Sequence, residues 1–206
     1  IGPILDQLRV VLERWLGRAN FDQSPVAPKL RFRVDGEDGS GVPIRLKIEI
    51  NTREIETFDA PVALKLQVTN PWFSGEAAIP TFSREEMLAT KLRALLQRDL
   101  YDLAHALEAF EGLQVERLVE MFGRYLGLSG QPISRAQAQE RMFAKLANPR
   151  FLLDMRPLLP AAQVEALTEE STADSFRRVF TTLVDRLPGE PWAKTPAMKE
   201  RFGIQW

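Results

Sequence analysis

Lys47, Glu49 and Asn51 stand at alternate positions of the run Arg45-Leu46-Lys47-Ile48-Glu49-Ile50-Asn51, with aliphatic residues between them. A strand sends alternate side chains to opposite faces, so Arg45, Lys47, Glu49 and Asn51 share one face while Leu46, Ile48 and Ile50 share the other. A carboxylate on such a face can project into a cleft. There it suits a divalent metal, which takes hard oxygen ligands from rigid elements, and the neighbouring cations suit phosphate oxygens. The same alternation also describes a solvated strand face whose charges pair across the sheet with Arg31 and Arg33.

A second group lies in Met87-Leu88-Ala89-Thr90-Lys91-Leu92-Arg93-Ala94-Leu95-Leu96-Gln97-Arg98-Asp99-Leu100-Tyr101-Asp102-Leu103. Lys91 follows Leu88 by three and precedes Leu95 by four, which sets its ammonium beside the apolar stripe of a helix. Asp99 and Asp102 are three apart on one helix face, where they can pair with Lys91 or Arg98 or accept protons and metals. The plainer alternative is that Lys91 reaches past the rim of a core to water and that the aspartates favour a helix start. His105 follows Asp102 by three, but a lone helical histidine is more often packed or capped than catalytic. The four tryptophans, Trp15, Trp72, Trp192 and Trp206, fall at core spacing or in the tail and suggest no base-stacking platform.

The elements that must carry these groups follow from periodicity. Leu5, Leu8, Leu12, Trp15 and Leu16 recur at helical spacing over Ile4–Leu16, and Gly17 can end that helix. Leu30, Phe32 and Val34 alternate with Arg31 and Arg33, and a loop rich in Gly and Asp over 35–41 joins this strand to the run around Glu49 as a β-hairpin. A third strand is predicted over Leu64–Val68, broken by Asn70-Pro71. From Ser83 onward the pattern is helical. Ser83-Arg84-Glu85-Glu86 predicts a capping box, and apolar spacing then runs on to Phe110, long for one globular helix. Further helices are predicted over Val115–Leu126, Ser134–Leu146 and Val164–Leu187, followed by a tail from Pro188 that wraps or docks. The fold class is α+β, with a small mixed β-sheet in residues 1–82 followed by a helical subdomain in residues 83–206.

Composition narrows the chemistry. The chain has 206 residues, with 27 basic and 28 acidic side chains, so any nucleic-acid contact must come from a local patch rather than from net charge. It has no cysteine and one histidine, which excludes disulfides, thiolate zinc sites, a cysteine nucleophile and a two-histidine metal site, and fits a reducing cytoplasm. No apolar run has the roughly 18 residues of a membrane span. No phosphate-binding P-loop or dinucleotide fingerprint is present.

Three ordered segments carry a resemblance: Lys47-Ile48-Glu49-Ile50-Asn51, then Glu86-Met87-Leu88-Ala89-Thr90-Lys91-Leu92-Arg93-Ala94-Leu95-Leu96-Gln97-Arg98, then Arg98-Asp99-Leu100-Tyr101-Asp102-Leu103. Together they resemble the later motifs of the AbiEii/AbiGii-type nucleotidyltransferase toxins. The resemblance implies a nucleotidyltransferase-type sheet and metal-assisted transfer of a nucleotidyl group from a nucleoside triphosphate, with Mg²⁺ or Mn²⁺. The acceptor it implies is an RNA end, often of tRNA, or a protein hydroxyl. It also implies a cytoplasmic toxin with a cognate antitoxin and no membrane association. Glu49 would be the third metal-site carboxylate. Lys47, Lys91 and Arg98 would hold triphosphate oxygens, Asp99 would orient Lys91 or the acceptor, and Asp102 would lock the helix pair.

Members of that family open with a Gly-Gly-Thr/Ser segment and an Asp-x-Asp pair, so the resemblance leads one to expect these upstream of Ile1. It also leads one to expect a few further residues between Arg98 and Asp99. The rival expectation is a degenerate member or a non-catalytic helical interaction module, in which Glu49, Lys91, Asp99 and Asp102 form only a structural ion network.

Overall fold

The structure, a computed structural model, describes residues 2–22, 24, 27–35, 42–50, 56–71, 73–95, 100–128, 130, 132–148, 151, 164–165 and 168–204, the side chains of 94 and 95 aside. Two compact units divide the chain, Ile1–Glu56 and Thr57–Trp206.

In the first unit, helix α1 (Gly2–Leu16) precedes three antiparallel strands in the order β1 (Asn20–Asp22), β2 (Lys29–Val34) and β3 (Ile44–Glu49). Gly17 ends the helix at φ +72°, a conformation glycine adopts without a Cβ penalty, and its N–H donates to the Glu13 carbonyl at 3.2 Å. The helix stripe Leu5, Leu8, Leu12 and Leu16 packs on Leu30 and Phe32 of β2. Full burial of the last two contributes about 1.5–3 kcal/mol each. Trp15, expected on that stripe, is 81% exposed instead, because it sits at the flank of the stripe where the narrow sheet no longer covers it. β2 and β3 form the expected hairpin, with Leu30 opposite Ile48 and Phe32 opposite Leu46. Most of its connection, residues 36–41, lies outside the described residues. β1 was not expected, since three residues are too few for alternation to register.

The second unit begins with a β-hairpin, β4 (Val62–Asn70) and β5 (Phe73–Thr81). Asn70 Oδ1 accepts the Phe73 N–H at 2.8 Å and closes the turn. The strand expected over Leu64–Val68 is the middle of β4. β5 escapes notice in the sequence because Gly75, Ala77, Ala78 and Pro80 are poor strand formers.

Helices follow: α2 (Arg84–Leu95), α3 (Leu100–Ala109), α4 (Val115–Leu128), α5 (Arg135–Leu146), α6 (Glu169–Thr182) and α7 (Thr195–Arg201). The long apolar run after Ser83 is thus two helices, α2 and α3, and the segment between them falls outside the described residues. Ser134 caps α5 and Thr168 caps α6, each through a reciprocal capping box. The helix expected over Val164–Leu187 differs accordingly. Its main body starts after the Thr168 cap and ends at Thr182, and a single 3₁₀ turn, Val184–Arg186, follows. Leu92, Leu103, Leu118, Phe143, Phe176 and Phe180 are buried in the apolar core of this unit. The tail docks on it: Gln139, fully buried, accepts from the Trp192 N–H and the Thr195 hydroxyl, both at 2.8 Å, and donates to Asp185 at 2.7 Å.

The capping box at Ser83 is only half formed. Ser83 Oγ accepts the Glu86 N–H at 3.2 Å, but the Glu86 carboxylate turns inward. Fully buried, it accepts from the Phe58 N–H at 2.6 Å, the Asp59 N–H at 3.2 Å and the Tyr125 hydroxyl at 2.7 Å. Burial, together with this acceptor, pushes the Tyr125 phenol well above its usual range. Beside it, Ser83 Oγ donates to Asp59 Oδ2 at 2.6 Å and Arg117 pairs with the same carboxyl.

The Ser83 hydrogen bond, helped by Arg117, holds the Asp59 carboxyl below its ordinary value. A carboxylate whose pKa is lowered on folding stabilises above its unfolded pKa, near 3.9, and loses that contribution as pH falls through the lower folded value. Asp59→Asn therefore lowers Tm at pH 7, and the gap to wild type closes as pH falls below about 4. Thermal melts from pH 7 to pH 3 check this; a gap that stays constant with pH removes the charge from the explanation.

Candidate functional site

α1 packs on the apolar face of the β2–β3 hairpin, and the opposite, polar face is exposed. Three rungs of cross-strand neighbours make up that face: Lys29 opposite Glu49, Arg31 opposite Lys47, and Arg33 opposite Arg45. Glu49 binds Lys47 at 2.9 Å and Lys29 at 3.6 Å. The Lys47 hydrogen bond, with the Lys29 charge, outweighs desolvation and holds the Glu49 carboxyl below its ordinary value, so it is an anion throughout the neutral range. Arg31 reaches Asp22 of β1 at 3.6 Å. A cavity of about 270 Å³ opens beside these residues, lined by Asn20, Arg31, Phe32, Arg33, Arg45, Leu46 and Lys47.

The register overturns one expectation. Arg31 and Arg33 do not face acidic partners across the hairpin; they face Lys47 and Arg45. Sequence alternation showed that these cations share a face, but alternation does not fix which residues of two strands oppose one another. The residue that sequence reasoning missed is Lys29, which the register sets opposite Glu49. Asn51 lies outside the described residues.

In the second unit, Lys91 of α2 donates to Asp102 Oδ2 of α3 at 2.7 Å, with both side chains partly exposed. Leu88 and Leu92, on either side of Lys91 in the helix, are buried, so the ammonium emerges at the edge of the core. Arg98 and Asp99 lie outside the described residues. His105 is exposed and stacks on Tyr101 with ring centres 6.2 Å apart, while the Asp102 carboxylate serves Lys91. The structure thus describes Glu49 with Lys47 in one unit and Lys91 with Asp102 in the other.

The family model for the nucleotidyl transferase AbiEii toxin of type IV toxin–antitoxin systems matches residues 1–185. The chain belongs to that family. No curated protein and no solved structure matches it. As an AbiEii member it is a nucleotidyltransferase toxin in general type, and membership implies a cognate antitoxin. The match takes in both the Glu49 strand and the Lys91–Asp102 helix pair. No helix among the described residues of this AbiEii chain is long and apolar enough to cross a membrane.

Among the described residues no three Asp, Glu or His side chains gather where they could hold a metal ion. Glu49 offers a single carboxylate, and two lysines already engage it. The described residues of this AbiEii protein would give a magnesium ion one ligand oxygen and do not by themselves complete its site.

Proposed function

We propose that this AbiEii protein transfers a nucleotidyl group from a nucleoside triphosphate to the hydroxyl of an RNA end, such as that of tRNA, or of a protein, in the cytoplasm of the cell that makes it. The observation that carries the proposal is the Glu49 rung: an ionised carboxylate held by Lys47 and Lys29 on an open sheet face, in a chain of a nucleotidyltransferase family. Lys47 neutralises phosphate charge beside Glu49, and Glu49 accepts a hydrogen bond from the attacking hydroxyl and aims it. Lys91 holds triphosphate oxygens. Asp102 fixes the Lys91 ammonium and ties α2 to α3, which limits the rotamers that Lys91 must lose when it binds. Arg98 adds a further phosphate contact, and Asp99 orients Lys91 or the acceptor. Mg²⁺ or Mn²⁺, when bound, would neutralise charge at the phosphates, and of the described residues Glu49 would contribute one oxygen ligand.

Lys91 gives a test in which fold and function separate. Lys91→Met keeps the stem that packs on the core and removes the charge. It should lower kcat/KM for the triphosphate about 10- to 100-fold, the value of one charge-assisted hydrogen bond, with Tm within about 2 °C of wild type. Asp102→Asn keeps a hydrogen-bond acceptor and should cost only several-fold. The structural-network alternative draws on the same 2.7 Å bridge between α2 and α3. It requires the opposite pattern, a lowered Tm with growth arrest intact on expression, and that pattern would sink the assignment of Lys91.

A further inference from the structure

The third rung of the polar face pairs two arginines. Arg33 and Arg45 are directly opposed in the β2–β3 register and both are exposed. Among the described residues neither has an ion-pair partner, whereas Arg31 has Asp22 and Lys47 has Glu49. Like charges directly opposite one another in an antiparallel pair are destabilising, and here two consecutive rungs carry them, Arg31 with Lys47 and Arg33 with Arg45. Along the paired strands, five cations on this face meet two carboxylates, Asp22 and Glu49, and both lie toward the Lys29 end. Asp35, two residues beyond Arg33, forms no ion pair with either arginine, so among the described residues the Arg33–Arg45 rung is left without a neutralising carboxylate. It also borders a concavity, since both arginines line the 270 Å³ cavity together with Asn20, which adds an amide. Guanidinium groups are planar forks matched to phosphate oxygens, and two of them across one rung can grip a single phosphate from two sides.

We infer that Arg33 and Arg45, with the cavity between them, form a phosphate-binding subsite on the sheet face that carries Glu49. Its role in catalysis rests on the transferase reading above; its chemistry does not. Arg45 precedes Glu49 by four residues, roughly 13 Å along an antiparallel strand, so the phosphate it holds is not the one beside Glu49. That phosphate belongs to the far end of the donor's triphosphate or to the backbone of an acceptor strand, and both present the same oxyanion to the pair. The anion relieves the repulsion built into the rung, which is why the face tolerates it.

Inorganic triphosphate is the first probe, added without divalent metal to the full chain at low ionic strength, with Tm as the readout. Wild type should gain several degrees at saturation, while Arg33→Gln and Arg45→Gln should each lose at least half of that gain. Without anion both variants should melt at or above the wild-type temperature, because each removes one member of an opposed pair. Glu49→Gln should keep the full gain. KM values then assign the source: a rise of about tenfold for the nucleoside triphosphate places the donor there, and a rise for the acceptor with the triphosphate KM unchanged places an acceptor strand there. A variant that gains as much from triphosphate as wild type, or that melts lower than wild type without it, overturns the subsite. Phosphate binding that survives while no nucleotidyl transfer is found would count against the transferase reading alone. Transfer with no phosphate effect at Arg33 or Arg45 would count against the subsite alone.

Discussion

Glu86→Ala should lower the stability of the helical unit by about 3–5 kcal/mol, a Tm loss on the order of 10 °C. Three donors lose their acceptor at once: the N–H groups of Phe58 and Asp59 and the hydroxyl of Tyr125. Each orphaned buried donor costs roughly 1–3 kcal/mol, and water entering at the half-buried end near Asp59 offsets part of the total. The position is packed as well as polar, since the Phe58 and Tyr125 rings meet edge to face 5.0 Å apart beside it. Glu86→Gln keeps one oxygen acceptor and should fall between wild type and the alanine variant. The neighbouring Glu85 is the control. Among the described residues its carboxylate accepts only the Gln114 N–H, at 3.0 Å in an exposed position, and Glu85→Ala should cost under about 1 kcal/mol. Urea titrations of the three variants check the order. If Glu86→Ala costs no more than Glu85→Ala, the inward carboxylate is not what anchors residues 58–59.

Glu49→Gln should show the reverse balance, with nucleotidyl transfer falling on the order of 10²–10³-fold and Tm moving by no more than about 2 °C. The side chain and its Lys47 partner are exposed and Lys29 is half-buried, and ion pairs this open to water contribute little to stability. Its charge is therefore of small structural consequence, while the proposed function depends on a hydrogen-bond acceptor and an anion at that point. Expression of Glu49→Gln in growing cells should give no growth arrest where wild type does. Because Lys47 and Lys29 hold the Glu49 carboxyl below its ordinary value, the acid limb of the wild-type activity profile should lie below the usual glutamate range, near 4.3, unless the fold is lost first. An acid limb centred near neutrality would assign the titrating group elsewhere.

Much of the positioning framework was legible in the residues themselves. Alternation in Leu30–Val34 and Ile44–Ile50 gave the two strands and the division of their faces, because a half-buried strand must repeat every two residues. The family resemblance lay in the same stretch and in the Glu86–Arg98 segment, and the family match over residues 1–185 agrees with it. Other features were hidden for physical reasons. Alternation within each strand leaves the register between strands open, so the opposition of Arg33 to Arg45 could not be read from spacing. β5 carries Gly75, Ala77, Ala78 and Pro80, residues whose own preferences point away from a strand, and pairing with β4 overrides them. Glu86 fitted a local capping rule three residues after Ser83, yet donors at Phe58, Asp59 and Tyr125, all distant in sequence, compete more strongly for its oxygens. Arg98 and Asp99 were as readable in the sequence as Lys91 and Asp102, but they lie outside the described residues.

The most direct test is to incubate the full chain with RNA from its own cells, Mg²⁺ and each nucleoside triphosphate, labelled in parallel at the α- and the γ-phosphate, and then to separate RNA from protein. Label from the α-phosphate of at least one nucleotide should enter one of these acceptors, the γ-label should leave as pyrophosphate, and Glu49→Gln should transfer neither. Incorporation of the γ-label, or α-label transferred undiminished by Glu49→Gln, would contradict nucleotidyl transfer at the Glu49 face.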